Sequence, residues 1–305
     1  RDDEAVRRIE VRTAPVAKGA VNLLFIAPAM ALFGVFVLLP VGSAFFYAFT
    51  HWDGFTAPRW AGLANFERAF ADVVHLESYV HVVLYILGTL VFEVTFGLVV
   101  AVLLNSDRRG FAMLRGFFFS PVVLSMSAAG VLWAFVLDYR TGLLNSVLKA
   151  VGAGDWAQPW LSQSSTALLA ITVVSGWKYA GFYMVIFFAA LRRIPRNLYE
   201  AATLDGAGAV RQFFSITLPL LRQNVLVAVL LAVTGGFAGF DLFFTMTNGN
   251  PFGATEVPAT WIMKQAFDKN QLSYGIALTV VLTAVVMVIS LIYLRVSERL
   301  SVHRY

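Results

Sequence analysis

The chain contains no cysteine, so no disulfide, thiolate metal ligand or cysteine nucleophile can operate in it. Histidine occurs four times, at His51, His75, His81 and His303, and the hydropathy pattern places each at or outside the end of an apolar run. With no histidine at depth and no second aspartate inside a run, the Ser-His or paired-Asp centre of an intramembrane hydrolase is missing, which argues against an enzyme. Charge is scarce as well. Only 13% of the residues are charged and 59% are hydrophobic, far more apolar surface than a soluble core of 305 residues can bury. Neither G-x-x-x-x-G-K-[ST] nor a G-x-G-x-x-G after a strand pattern occurs, so any nucleotide chemistry must come from another chain. No loop is much longer than about 30 residues, which leaves no room for a separate soluble domain.

What is present is a series of long apolar runs. Six of them, Val21 to Phe49, His81 to Leu104, Gly116 to Leu137, Thr166 to Leu191, Val225 to Thr247 and Leu272 to Leu294, suit a membrane crossing. Each supplies the roughly 20 helical residues that a hydrocarbon core requires. The expected fold is therefore an all-α integral membrane protein of six transmembrane helices, with a lead at 1–20, a membrane domain at 21–294 and a tail at 295–305. The first run is too long for a secretory h-region, so it reads as a retained span and not a cleaved signal.

Of the 23 Lys and Arg residues, sixteen fall in the lead, around Arg108 to Arg115, in the polar loop 192–224 and in the tail. Six fall in the alternate loops, and Lys178 lies inside a run. Because cytoplasmic loops hold the basic excess, both termini and loop 192–224 are expected inside. Acidic residues divide equally, eight to each side, so the net charge of +5 is a topology signal and implies no nucleic-acid partner. The outer loops carry Trp52, Gly54, Trp60, Gly62, Leu63, Asn65 and Phe66, then Asp155, Trp156, Pro159 and Trp160. An interfacial aromatic belt accounts for them, and a docking surface for a partner protein is the sharper alternative.

Loop 192–224 is several times the length of an ordinary connection between bundle helices, which runs about 2 to 8 residues. Ile194-Pro195 stops the fourth run, and Pro195 suits the first turn of a new short helix. Leu198, Ala201 and Ala202 share one narrow face of that helix, and Gly206 ends it as a left-handed cap. A second short helix gathers Val210, Phe213, Phe214 and Thr217 before Leu218-Pro219 turns the chain into the fifth run. An amphipathic hairpin lying on the membrane surface is the plainer reading of such a segment.

The spacing within this loop is more specific than its amphipathicity. Glu200-Ala201-Ala202, three residues, Gly206, nine residues and then Ile216-x-Leu218-Pro219 resembles the EAA loop of binding-protein-dependent ABC importers, by which permease subunits dock on their ATPase. The approach through Trp177, Lys178 and Gly181, the stretch Ala189 to Pro195, and Gly239-Phe240-Asp241 are similar to the same family. Thr247-Asn248-Gly249-Asn250-Pro251 resembles the T-x-G-G-P stretch of carbohydrate permeases of the maltose and glycerol-phosphate type, with Asn250 where a second Gly is usual. His81-Val82 likewise replaces an Asn-Thr pair common at the start of span two.

The resemblance implies one permease subunit working with a second homologous permease, a dimer of ATP-binding subunits and an extracytoplasmic solute-binding protein that delivers a sugar. It assigns ATPase coupling to Glu200, Ala201, Ala202, Asp205, Gly206, Ala207, Phe213, Phe214, Ile216, Leu218 and Pro219. No cofactor is expected in this chain, since ATP and Mg would be bound by the partner ATPase.

Three ionisable groups lie within the runs, Glu93, Lys178 and Asp241, where charge is costly and usually functional. Glu93 lies 12 residues in from His81 and Lys178 12 in from Thr166, so both reach the same depth and a Glu93–Lys178 pair that fixes helix register is expected. Asp241, near the outer end of its run, reads as interfacial. Flat apolar faces from Trp177, Tyr179, Tyr183, Phe240, Phe243 and Phe244, with polar groups from Glu93, Lys178, Asp241, Thr247 and Asn248, make up a candidate sugar path. The rival is an ion-coupled secondary transporter or channel, which needs midplane ion ligands. Only Glu93 and Lys178 offer themselves, and loop 192–224 would then have no purpose.

Overall fold

A computed structural model describes residues 25–106 and 108–301, which are mostly helical. The expected lead at 1–20 and the last four residues of the tail lie outside the described residues. In chain order the helices are α1 (Phe25–Ala48), α2 (Ala64–Ala71), α3 (Val73–Leu103), α4 (Phe111–Phe119), α5 (Met126–Val136), α6 (Leu143–Ala150) and α7 (Ser164–Leu191). They continue as α8 (Arg196–Leu204), α9 (Ala209–Leu220), α10 (Arg222–Phe237), α11 (Asp241–Met246), α12 (Pro258–Met263) and α13 (Leu272–Ser301). Four of them, α1, α3, α7 and α13, are long and apolar enough to cross a membrane, and the number rises to six if two bent pairs each count as one span. A hairpin of β1 (Thr50–His51) and β2 (Arg59–Trp60), with Thr50 opposite Trp60, adds a small sheet to the expected all-helical fold.

The helices depart from the expected runs where side chains, and not hydropathy, decide their ends. Span two was expected from His81, but α3 starts at Val73 because Asp72 caps it, accepting from the His75 amide at 3.1 Å. The other Asp72 oxygen accepts from Tyr274 Oη at 2.7 Å and Trp261 Nε1 at 3.0 Å, which ties this end to α12 and α13. Burial alone would raise the Asp72 carboxyl, yet the donors of Tyr274, His75 and Trp261 outweigh it and hold the group below the ordinary carboxylate range. His75 and His81 consequently lie inside α3 and not at its end, with His81 Nδ1 2.9 Å from the Glu256 carbonyl.

The third and fifth runs are not continuous helices. Ser120 to Val123 tighten into a 3₁₀ turn around Pro121, Ser125 caps the next helix by accepting from Ala128 N, and the two halves of the run meet at 99°. Just before the fifth run α9 and α10 meet at 69°, next to the turn expected at Leu218-Pro219, and within the run an interruption at residues 238–240 separates α10 from α11. Both interruptions were missed because apolar residues continue through them.

The core is built around α7. Tyr85, Ile86, Ile171, Val174 and Phe243 pack about its first half, and Val100, Ala101, Met184, Phe187 and Leu221 about its second. Small residues set the helix spacing, as they do where lipid removes any hydrophobic preference for helix contact. A Cβ on Gly97 would lie 2.8 Å from Tyr183 Cβ, one on Gly176 2.6 Å from Phe92 Cβ, and one on Gly181 would collide with the Phe118 carbonyl. Overpacking of this kind costs roughly 1–3 kcal/mol. Gly181→Ala is therefore expected to lower the thermal midpoint of the purified chain, while Gly116→Ala, whose Cβ meets nothing within 4 Å, leaves it unchanged or slightly raised. Equal midpoints for the two variants would contradict this packing.

Candidate functional site

On α3, Tyr85, Thr89 and Glu93 recur every four residues, and on α7 Ser175, Tyr179 and Tyr183 do the same, so each helix turns one polar and aromatic stripe toward the other. Between these stripes lies a cavity of about 500 Å³. Val122 and Met126 enter it from the first helix break, and Gly235, Gly239, Phe240, Asp241 and Phe243 from the second. Both interruptions thus open onto one space.

Glu93 sits in a π-helical turn, Leu90–Thr95, and is 5% exposed. Its Oε1 accepts from Ser175 Oγ at 2.6 Å, and Ser175 Oγ lies 2.8 Å from Tyr85 Oη. Because the serine has one proton and gives it to the carboxylate, Tyr85 donates to Ser175, which makes a directed chain ending on Glu93. Glu93 Oε2 has no hydrogen-bond partner among the described residues. Asp241 starts α11 and is exposed, with Oδ1 3.5 Å from Ser127 Oγ. It lines the cavity, as expected of a path residue.

The expected Glu93–Lys178 pair does not form. Lys178 Nζ donates to the carbonyls of Pro121 at 3.3 Å, Val122 at 3.2 Å and Leu124 at 2.5 Å, at the break that follows α4. The count from His81 does not hold, since α3 starts at Val73, and it is Ser175 that stands level with Glu93. At roughly 100° per residue, Lys178 stands about 60° from Ser175 around α7, off the stripe that faces Glu93.

Of the expected path residues, Glu93, Tyr179, Tyr183, Phe240, Asp241 and Phe243 line the cavity. Lys178 serves the break. Trp177 packs edge-on against Trp133 at 5.4 Å, and Phe244 stacks beneath Phe240 at 5.0 Å. Thr247 Oγ1 meets Thr255 Oγ1 at 2.7 Å, and the Asn248 carbonyl accepts from Lys264 at 2.8 Å in a turn where Asn248 has φ +48°. Tyr85, Thr89, Ser175 and Phe182 also line the cavity and were not singled out. Spacing by fours was the signal that would have found the first three.

The segment after α7 is the second candidate. Pro195 stands at the N-cap of α8, one position before the expected first turn. Gly206, φ +76°, closes α8 in a Schellman arrangement, with Ala207 N donating to Ala202 O at 2.8 Å and Gly206 N to Thr203 O at 3.0 Å. Gln212 Nε2 reaches back to Thr203 Oγ1 at 3.0 Å and to the Ala207 carbonyl at 2.9 Å, and Tyr199 Oη meets Thr217 Oγ1 at 2.9 Å. α8 and α9 are thereby held at a fixed angle. Leu204, Val210 and Phe214 remain 89%, 73% and 61% exposed, and Glu200, Ala201 and Asp205 are exposed beside them. Ala202, Ala207, Phe213, Ile216, Leu218 and Pro219 are half-buried at the inner side of the turn and its root.

The family model described as "Binding-protein-dependent transport system inner membrane component" matches residues 93–302, which contain the carboxyl of the cavity, the helix-turn-helix and α13. The probable ABC transporter permease protein YurN of Bacillus subtilis is 35% identical over 275 residues, with 89% of this chain and 94% of that one covered. The diacetylchitobiose uptake system permease protein NgcF of Streptomyces coelicolor is 34% identical over 281 residues, covering 87% and 79%. In fold, the chain is similar to a bacterial ABC transporter involved in the import of the acidic polysaccharide alginate, with a TM-score of 0.82 at 20% identity over 94% of this chain and 98% of that one. The chain belongs to the family of binding-protein-dependent transport system inner membrane components, as an ABC transporter permease.

Proposed function

We propose that this chain is one of two permease subunits of an ATP-driven importer that moves a sugar delivered by an extracytoplasmic binding protein. In this reading α4 with α5 makes one span and α10 with α11 another, giving six spans across 21–294, with both termini and loop 192–224, which carries α8 and α9, in the cytoplasm. α8, Gly206 and α9 dock in a groove of a separate ATPase, which binds the ATP and Mg that this chain has no means to hold. The second homologous permease completes the pathway that the cavity of Glu93 begins. Sugar as cargo is supported by the flat aromatic faces of Tyr179, Phe240 and Phe243 beside hydrogen-bonding groups, and by the uptake of diacetylchitobiose through a 34% identical relative.

The observation that carries the proposal is the exposed apolar set of Leu204, Val210 and Phe214, held on a turn fixed by a Schellman cap and the bonds of Gln212 and Tyr199. An apolar surface presented on so rigid a mount fits a protein partner better than lipid, which needs no fixed angle. An ion-coupled transporter gives this turn no role.

Two results are expected from this reading. Gly206 has open space around it, so its constraint is backbone conformation, and a β-branched residue at φ +76° costs on the order of 1–3 kcal/mol. Gly206→Val should insert normally yet lose most binding-protein-stimulated ATPase activity and uptake in proteoliposomes, whereas Gly206→Asn, which tolerates the left-handed region, retains both. Unchanged transport by the valine variant contradicts the assignment. Leu204→Glu with Phe214→Glu should abolish copurification of the ATPase subunit. Full retention of the ATPase, or gradient-driven flux with no ATPase present, favours the secondary transporter.

A further inference from the structure

We infer that the cavity admits neutral or amine-bearing sugars and rejects acidic ones; this rests on the sugar reading above and assigns its charge class. Among the described residues the ionisable groups of the lining other than tyrosines are Glu93 and Asp241, both carboxyls, and no Lys, Arg or His lines the space. Lys178 lies close by in sequence, and its ammonium is committed to the carbonyls of Pro121, Val122 and Leu124. An anionic sugar entering here would shed water without meeting a cation. It would instead approach the exposed carboxylate of Asp241. At about 5 Å and an effective dielectric of about 20, the repulsion weakens binding by a factor on the order of a hundred.

Neutral sugars meet the opposite situation. Their hydroxyls are donors, and the cavity presents acceptors: Glu93 Oε2 is unpartnered among the described residues on a side chain that is 5% exposed, and Asp241 is open. Glu93 is held in place by the Tyr85–Ser175 chain, so its free oxygen points from a fixed position. An amine on the sugar would gain a charge-assisted bond at the same oxygens. Kinship does not settle this choice, since one relative takes up the neutral disaccharide diacetylchitobiose and the fold neighbour imports an acidic polysaccharide.

The test uses the complete membrane assembly, this chain with its partner permease and ATPase, purified without the binding protein so that only the membrane part selects. Radiolabelled cellobiose, glucosamine disaccharide and digalacturonate are compared by equilibrium dialysis. The first two are expected to bind at least tenfold more tightly than digalacturonate. Glu93→Gln combined with Asp241→Asn keeps the shape and the acceptor for Ser175, and should raise digalacturonate affinity at least tenfold while lowering that of the amino sugar. Digalacturonate binding to the unaltered assembly as tightly as cellobiose overturns the charge rule. Failure of all three to bind, or binding unaffected by Gly235→Trp, which fills the cavity, overturns the sugar reading itself and this inference with it.

Discussion

The carbonyl oxygens of Val122 and Leu124 lose their helical partners at the break after α4, that of Pro121 keeps only the Leu124 amide at 3.2 Å, and the ammonium of Lys178 donates to all three. In an apolar surrounding a free carbonyl costs several kcal/mol, so a helix can stop part-way across a membrane domain only where something supplies donors. An ammonium has three protons and no acceptor, which matches the need. The 99° bend that follows brings Val122 and Met126 to the cavity, and the rest of the site is arranged around it. Ser125 completes the turn by capping α5, so both sides of the break are satisfied.

The second interruption is made differently. Gly236 and Gly239 allow close approach, with Gly236 pressed on Ile86, and the chain restarts at Asp241. One break is held by a charge and the other by missing side chains. Together they leave a cavity whose polar wall comes from continuous helices, α3 and α7, and whose remaining wall comes from helix ends. The segment proposed to meet the ATPase is joined to this cavity at both of its ends. α7 carries Ser175, Tyr179 and Tyr183 and leads into α8, while α9 leads through α10 to the glycine-rich break. A displacement of the rigid turn would therefore bear on two cavity walls, through α7 on one side and α10 on the other.

Much of this was legible in the sequence. The runs that became α1, α3, α7 and α13 are long and apolar, broken only by single charges at Glu93 and Lys178, and the left-handed position at Gly206 followed from glycine at the end of a short amphipathic segment. The breaks were not legible from hydropathy, because membrane helices and the ends of broken ones are equally apolar. Ser120-Pro121 and the glycines from 235 to 239 were the available punctuation. The cavity was legible in part: Glu93 and Asp241 stood out as charges in apolar runs, whereas Tyr85, Thr89 and Ser175 are ordinary residues whose role appears only in their four-residue spacing against a facing helix. Counting residues from the ends of runs carries no information on the direction in which Lys178 points.

The central claim is that Lys178 holds the helix break while Glu93 belongs to the cavity, so the two do not depend on one another. A double-mutant cycle on thermal or denaturant stability of the purified chain, with Lys178→Met and Glu93→Gln singly and together, measures that dependence directly. The account predicts a loss for Lys178→Met on the order of 3 kcal/mol or more, from carbonyls left unpaired, and a coupling energy between the two sites below about 0.5 kcal/mol. A coupling well above about 1 kcal/mol, with the double variant no less stable than Lys178→Met alone, would show that the two form a pair and would contradict it.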